Sequence, residues 1–349
     1  MPRVARSRRK RAQGRGRERD ILMDQGRKKV IVSTNSFYAA KVKLLEETGF
    51  EVQFLPDRAD NLFLKEIGKA HALIPGLSPV TAQVMEKAPG LLIVAAHGVG
   101  YNNIDLQAAD QMGILVTNIP GVNADAVAEF TFGLILALIR RIPQAWEEMR
   151  RGGWRRPELW GSELRGKTLS IIGLGRIGSR VSRVGVAFGM KVLACDPYIP
   201  EQAFREAGAK PVSRNEAISQ ADFLTLHIPL TEETRMMIGS RELSLMKKSA
   251  LLINTARGGI LDDRELVKAL DDGVLAGAGI DVFEEEPPDE RSLRSHPKIL
   301  STPHIAGLSD EARYRMSRGA SERVACALRG ERPPDVVNEP RNPRYLRMA

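Results

Sequence analysis

Along most of the chain, short apolar runs of strand length alternate with stretches whose apolar residues recur every three or four positions, the two periods of strands and amphipathic helices. Residues 30–32, 52–55, 71–75, 91–96 and 114–117 read as strands, with helices over 39–48 and 82–87. Gly49 stands where a helix C-terminus wants a left-handed residue. A second series follows, with strands at 169–172, 192–194, 223–226, 251–254, 279–282 and 299–301 and helices at 241–246 and 263–270. A last helix is expected over 311–328. Strands that alternate with helices in this way predict an α/β protein with doubly wound parallel sheets, and the length of 349 residues predicts two such domains.

Between the two series the pattern changes. A helix capped by Asn123 and running to about residue 142 is apolar nearly all round, so it should be buried on most sides, between two domains or against a second subunit. Its most apolar part, 126–139, is interrupted by Glu129 and falls short of the roughly 20 residues that a bilayer requires. All three tryptophans, Trp146, Trp154 and Trp160, follow on polar, glycine-containing ground. Exposed tryptophan is costly, so this stretch reads as an arm laid on a partner chain; packing within the same chain is the other reading.

The second series opens with strand, Gly173-Leu174-Gly175-Arg176-Ile177-Gly178, helix, and a strand that ends on Asp196. Gly173 allows a tight turn, Gly175 lets backbone approach a pyrophosphate, and Gly178 lets the helix pack closely on the strand. Phosphates would then meet the N–H groups and positive end of the helix. Asp196 lies at the spacing where a carboxylate meets a ribose 2′-hydroxyl. A carboxylate repels a 2′-phosphate, and Pro197 and Tyr198 supply no cation, so the turn predicts NAD rather than NADP.

Charge and cysteines alter this picture little. The formal net charge of +9 is carried by residues 1–29, where twelve Lys and Arg face three acids; the rest is neutral. A basic, apolar-poor start reads as a flexible tail, and only weak, salt-sensitive binding of nucleic acid by that tail is expected. Cys195 and Cys326 form neither a disulfide framework nor a metal-binding spacing, and no export or membrane segment is recognisable, so a cytoplasmic protein without a metal is expected.

In doubly wound sheets ligands bind outside the carboxyl ends of the strands. In the first series these ends carry Gly76-Leu77-Ser78 and His97-Gly98-Val99-Gly100, the latter able to turn the backbone N–H groups of Val99 and Gly100 toward an anion. In the second they carry Asn254-Thr255-Ala256-Arg257-Gly258-Gly259, Asp281-Val282-Phe283-Glu284-Glu285-Glu286-Pro287 and Thr302-Pro303-His304-Ile305. Arg257 offers a planar fork of donors for a carboxylate. His304 can exchange a proton near neutrality, with His97 as the competing acid/base, while His71 and His296 look structural. A glutamate beside the imidazole would orient it, and three adjacent glutamates leave the choice open.

Together HGVGYNNIDL, ADAVAEFTFG, GLGRIG, HIPLTEETRMMI, NTARGG, GAGIDVFEEEP and TPHIAG resemble, in order and over about residues 28–332, the D-isomer-specific 2-hydroxyacid dehydrogenases, in particular the short phosphoglycerate dehydrogenase-like branch. The resemblance implies a Rossmann cofactor domain inserted in a flavodoxin-like substrate domain: a tail at 1–27, a substrate domain of 28–117 with 306–332, an NAD-binding domain of 118–305, and a loose tail at 333–349. It implies an NAD-dependent oxidoreductase acting on a 2-hydroxyacid or 2-oxoacid of the 3-phosphoglycerate, hydroxypyruvate or glyoxylate class, and a homodimer. It places the catalytic roles on Arg257, Glu286 and His304, and a nicotinamide contact on Asp281. Further cofactor contacts would be Arg176, Ile177, Asp196, His227, Pro229, Thr234, Thr255 and Ala256, and substrate contacts Val99, Gly100, Leu77 and Ser78. Asn102 stands where the family usually has Asp, and the 75–78 loop lacks the arginine that many phosphoglycerate-type members carry. An NAD(H)-sensing corepressor of the same fold is the alternative, favoured only by the basic tail.

Overall fold

The computed structural model describes residues 27–39, 43–55, 61–288 and 293–348. The basic tail therefore lies outside the described residues, as does most of the first half of the helix expected over 39–48. The chain divides into two compact units, Met1–Val122 with Arg313–Ala349, and Asn123–Ala312.

The first unit runs β1 (Lys29–Ser33), α1 (Leu44–Glu47), β2 (Glu51–Phe54), α2 (Asn61–Glu66), β3 (Ala72–Pro75), α3 (Ala82–Glu86), β4 (Ile93–Ala95), α4 (Leu106–Met112) and β5 (Leu115–Thr117). All its strand pairs are parallel, in the order β2-β1-β3-β4-β5. That is the order of a flavodoxin-like sheet. Successive residues of β1 and β3 enter different cores: Ile31 and Leu73 one, Val30, Val32, Ala72 and Ile74 the other. Both faces are therefore covered, which is why these strands read as continuous apolar runs.

The second unit contains α5 (Ala124–Ile139), α6 (Ile142–Arg150), β6 (Thr168–Ile172), α7 (Gly178–Ala187), β7 (Lys191–Cys195), α8 (Glu201–Ala207), β8 (Lys210–Pro211), α9 (Arg214–Gln220), β9 (Phe223–Leu226), α10 (Ser240–Leu245), β10 (Leu251–Asn254), α11 (Asp263–Asp271), β11 (Gly277–Ile280) and β12 (Ile299–Ser301). Its seven parallel strands follow the order β12-β11-β10-β9-β6-β7-β8, the dinucleotide-binding arrangement extended by one strand. The order reverses between β6 and β9, so the carboxyl ends of those two strands form the crevice where such sheets take ligands. The closing helix α12 (Asp310–Leu328) sends Ala320, Val324 and Leu328 into the first unit's core.

The described part of the C-terminal segment, 333–348, is not a loose tail. Val336 pairs with Thr117, Asn338 Oδ1 accepts the Val116 N–H at 2.7 Å, and Asn338 Nδ2 donates to Ile114 O at 2.9 Å. The segment covers the open edge of β5, whose unpaired backbone groups would otherwise face solvent. The two compact units divide at 122/123 and 312/313, a few residues beyond the domain limits of 117/118 and 305/306 that the resemblance implies. Residues 118 and 119 still belong to the first unit because Ile119 N donates to Gly98 O and Asn118 Nδ2 to Val99 O, both at 2.8 Å. Asn123 occupies the N-cap position of α5, but its side chain makes no capping bond.

The apolar helix stops early. Arg140 and Arg141 interrupt it, Arg141 with a left-handed φ of 52°, and α6 follows as a separate helix. Phe132, Leu134 and Ile135 of α5 enter the second unit's own core with Leu169 and Ile171. The tryptophans of the arm stay out: Trp146, Trp154 and Trp160 are 60%, 69% and 70% exposed. Among the described residues no helix is long and apolar enough to cross a membrane.

Candidate active site

At the end of β6 the chain must turn sharply, and the three glycines divide the work. Gly173 has φ 91°, and a Cβ there would stand 2.6 Å from His227 O at the end of β9. A Cβ on Gly178 would meet Gly173 O at 2.0 Å. Both are required by the fold. Gly175 is different: a Cβ there would touch nothing within 4 Å. Packing does not explain it, whereas an open face over the turn suits an incoming pyrophosphate. No side chain caps α7, whose N-terminus faces this turn with Arg176 and Ile177.

Asp196 completes the fit. Its Oδ2 accepts the Leu174 N–H at 2.9 Å and its Oδ1 the Tyr198 N–H at 3.0 Å. The carboxylate is thus fixed at the end of β7 while keeping lone pairs for a ribose hydroxyl. The residues present fit a dinucleotide with an unphosphorylated 2′-position.

Across the switch point, His227 follows β9. Burial pushes its imidazole down to about 3, so it is neutral; Nε2 bonds the Thr225 hydroxyl and Nδ1 is buried without a partner. An orphaned ring nitrogen beside the glycine turn is what a cofactor group could satisfy. Pro229 and Thr234 shape the next loop, Thr234 Oγ1 donating to Pro229 O at 2.7 Å. Thr255 and Ala256, both buried, follow β10, and the Thr255 hydroxyl meets that of Thr131 on α5 at 3.0 Å.

The catalytic candidates gather at the carboxyl ends of β10, β11 and β12. His304 has φ 53°, a left-handed conformation uncommon for a side chain of this size. It is held there by Asp281, which is 1% exposed. Asp281 Oδ1 accepts from Thr302 Oγ1 at 2.6 Å and Ile305 N at 3.0 Å, and Oδ2 from Ala306 N at 2.8 Å. Burial pushes the Asp281 carboxyl up, and these donors offset part of that cost. The sequence marked Asp281 only as a cofactor contact; its hold on the His304 loop was not legible, because it depends on where β11 and β12 end.

The imidazole Nδ1 of His304 lies 2.7 Å from Glu286 Oε2, with both side chains under a third exposed. Glu286 Oε1 accepts the Phe283 N–H at 3.1 Å. Of the three adjacent glutamates, Glu286 is the one that meets the histidine. Burial works against its charge, but the hydrogen bonds from His304 and Phe283 and the charges of His304 and Arg257 outweigh it and hold the carboxyl below its usual range. Arg257 sits nearby. Burial lowers its pKa while Glu286 favours its charged form, and Asn254 Nδ2 fixes the loop by donating to Arg257 O at 3.0 Å. Asn254 is a supporting residue that sequence reasoning missed. His304 Nε2 has no partner among the described residues, so the ring is anchored at one nitrogen and open at the other.

The competing histidine is spoken for. His97 bonds Ser36 Oγ at 3.1 Å through Nδ1 and Ser317 Oγ at 2.9 Å through Nε2, and burial, with Arg313, pushes it down to about 4. His71 and His296 each accept a backbone N–H, from Lys29 and Lys298. In the first unit, Leu77 is exposed and Ser78 half-buried after β3; Asn103 Nδ2 pins their loop by donating to Gly76 O and Ser78 O at 3.0 Å. Val99 and Gly100 lie half-buried after β4.

If Gly175 serves a ligand and Gly178 the fold, substitution separates them. Gly175→Val should leave the melting temperature unchanged but weaken NADH binding more than tenfold by fluorescence titration. Gly178→Ala should lower the melting temperature. Equal NADH affinity in Gly175→Val would remove the pyrophosphate from this turn.

Residues 132–306 match the family model described as D-isomer specific 2-hydroxyacid dehydrogenase, NAD binding domain. The chain is 42% identical over 315 residues to the D-3-phosphoglycerate dehydrogenase of Methanocaldococcus jannaschii, covering 90% of this chain but 60% of that longer protein. It is 41% identical over 303 residues to the glyoxylate reductase of Korarchaeum cryptofilum, covering 84% of this chain and 91% of that one. Among solved structures, D-lactate dehydrogenase from Aquifex aeolicus complexed with NAD and lactic acid is similar, with a TM-score of 0.77 at 31% identity over 87% of this chain and 96% of that one. On the glycine turn, the Glu286–His304 pair and these likenesses together, the chain belongs to the D-isomer-specific 2-hydroxyacid dehydrogenase family.

Proposed function

We propose that the chain interconverts a D-2-hydroxyacid and its 2-oxoacid with NAD, and that its substrate is a small unphosphorylated acid of the glyoxylate or hydroxypyruvate class. The observation that carries the reaction type is the 2.7 Å contact between His304 Nδ1 and Glu286 Oε2. Bound NADH would supply the hydride. In reduction the imidazolium of His304 gives the Nε2 proton to the carbonyl oxygen, and the carboxylate of Glu286 stabilises the charged ring beforehand. After transfer the neutral ring keeps its Nδ1 proton toward Glu286, so Nε2 can take the hydroxyl proton back in the reverse direction. Arg257, whose Nη1 donates to Ala256 O at 2.6 Å, would meet the substrate carboxylate with its charged guanidinium.

The unphosphorylated substrate is favoured by the 75–78 loop, which carries no cation and presents Leu77, 59% exposed. A phosphate dianion would want a donor there. The similarity to a glyoxylate reductase over nearly its whole length points the same way. The corepressor alternative has no support among these relatives, and the tail that favoured it lies outside the described residues.

A second copy of the chain is the partner that best suits the arm. Ile142, Trp146 and Met149, spaced along one face of α6, are 53%, 60% and 54% exposed, and Trp154 and Trp160 extend the apolar surface. Exposed apolar area on this scale marks an interaction site. The two unpaired cysteines fit a reducing compartment such as the cytoplasm.

His304→Ala should lose about 10²–10⁴-fold in glyoxylate or hydroxypyruvate reduction, the usual contribution of a general acid, while NADH affinity stays unchanged. An unchanged rate would refute the role. Trp146→Glu with Met149→Glu should sediment as a monomer where the unaltered chain sediments as a dimer; a dimer in both would free the arm from that task.

A further inference from the structure

The loop that carries Glu286 is gripped from two sides by residues outside the reaction described above. On one side is Gly258, next to Arg257. A Cβ at Gly258 would lie 1.7 Å from Phe283 O and 2.6 Å from Glu284 N, so the Phe283–Glu284 peptide rests directly on the glycine backbone. On the other side is Asp263, the first residue of α11. The helix does not use Asp263 as its cap: the preceding residue, Asp262, accepts the N–H groups of Arg264 and Glu265. Asp263 reaches across instead, and its Oδ2 accepts the Glu284 N–H at 3.3 Å. The next amide back along the loop, Phe283 N–H, is the one that donates to Glu286 Oε1, and Glu286 Oε2 meets the imidazole. One residue, Phe283, thus lies between the amide that Asp263 holds and the amide that holds Glu286.

Stability does not account for a carboxylate at this position. Burial pushes Asp263 up to about 6; the hydrogen bond from Glu284 N opposes that shift, and the charges of Glu284 and Asp262 add to it. The folded protein then holds this proton more tightly than the unfolded chain does. The stability it contributes is present below the ordinary carboxylate pKa and is lost as pH rises through about 6. At neutral pH the ionised side chain is a cost, offset by what it positions.

We propose that Asp263 is a positioning residue for the reaction: its carboxylate fixes the Phe283–Glu284 peptide and, through the Phe283 N–H, the aim of Glu286 at His304. The proposal rests on the acid/base reading of His304, and its test separates the two. Asp263→Ala removes the acceptor, Asp263→Ser is too short to reach it, and Asp263→Asn keeps an amide oxygen in the same place without charge. With glyoxylate and NADH, the Ala and Ser variants should lose about tenfold in kcat, the rate equivalent of one ordinary hydrogen bond, with the NADH dissociation constant unchanged; Asn should recover most of the rate. Independently of turnover, histidine ¹⁵N shifts, assigned with His304→Gln, report which ring nitrogen carries the proton. In the unaltered protein and the Asn variant the neutral His304 ring should be protonated at Nδ1. In the Ala and Ser variants the two tautomers should mix. Unaltered kcat and tautomer in both truncated variants would overturn the proposal, as would an Asn variant that fails as they do. If the unaltered protein reduces no 2-oxoacid, the acid/base reading falls, and the tautomer populations still decide the role of Asp263.

Discussion

A single buried carboxylate sets the backbone around the proposed catalytic histidine. Asp281 gives up nearly all contact with water and takes hydrogen bonds from Thr302, Ile305 and Ala306, on both sides of His304. A carboxylate so enclosed is tolerable only when its oxygens are bonded. Satisfying Asp281 therefore obliges the 302–306 segment to fold around it, and the left-handed backbone of His304 follows. Conformational strain of this kind persists where the surroundings over-determine it. Here the result is an imidazole whose Nδ1 is offered to Glu286 and whose Nε2 is left open.

The cofactor turn obeys the same logic at the other end of the crevice. Parallel pairing of β6 with β9 brings Gly173 onto the carbonyl of His227, and Gly178 onto the carbonyl of Gly173. These contacts fix the start of α7 and leave the space above Gly175 empty. Asp196, tied back to Leu174, closes the far end. Each functional group is thus held by backbone contacts of the sheet ends rather than by its own loop alone, which suits a site that must keep donors and acceptors aligned.

Much of this was legible beforehand because it depends on local chemistry. Apolar runs placed the strands, and the glycine spacing with Asp196 marked the turn proposed to take the cofactor. What escaped depended on distance in space. Lys210 and Pro211 form an edge strand too short to show a pattern. The short helix α4 announced itself only through its cap, Asp105 accepting the Ala108 N–H, and α9 through its Ser213–Glu216 capping box. The Pro-rich end looked loose because its anchor, Asn338, is a single polar residue whose partners, Ile114 and Val116, lie over two hundred positions away. Likewise, side-chain chemistry alone does not distinguish Glu286 among three consecutive glutamates; the family resemblance singled it out and the fold shows it against the imidazole, whereas Asn254 and Asn103 became visible as supports only through the carbonyls they bond.

The proposed reaction turns on the open nitrogen of His304 meeting the substrate. A crystal structure of the protein with NADH and oxamate, a stable mimic of a 2-oxoacid, would test this most directly. Proton transfer from His304 requires Nε2 at about 2.6–3.2 Å from the oxamate carbonyl oxygen, the reach of a general acid, with Nδ1 still on Glu286. An imidazole turned away from the oxamate carbonyl, or one that has released Glu286 to reach it, would contradict it.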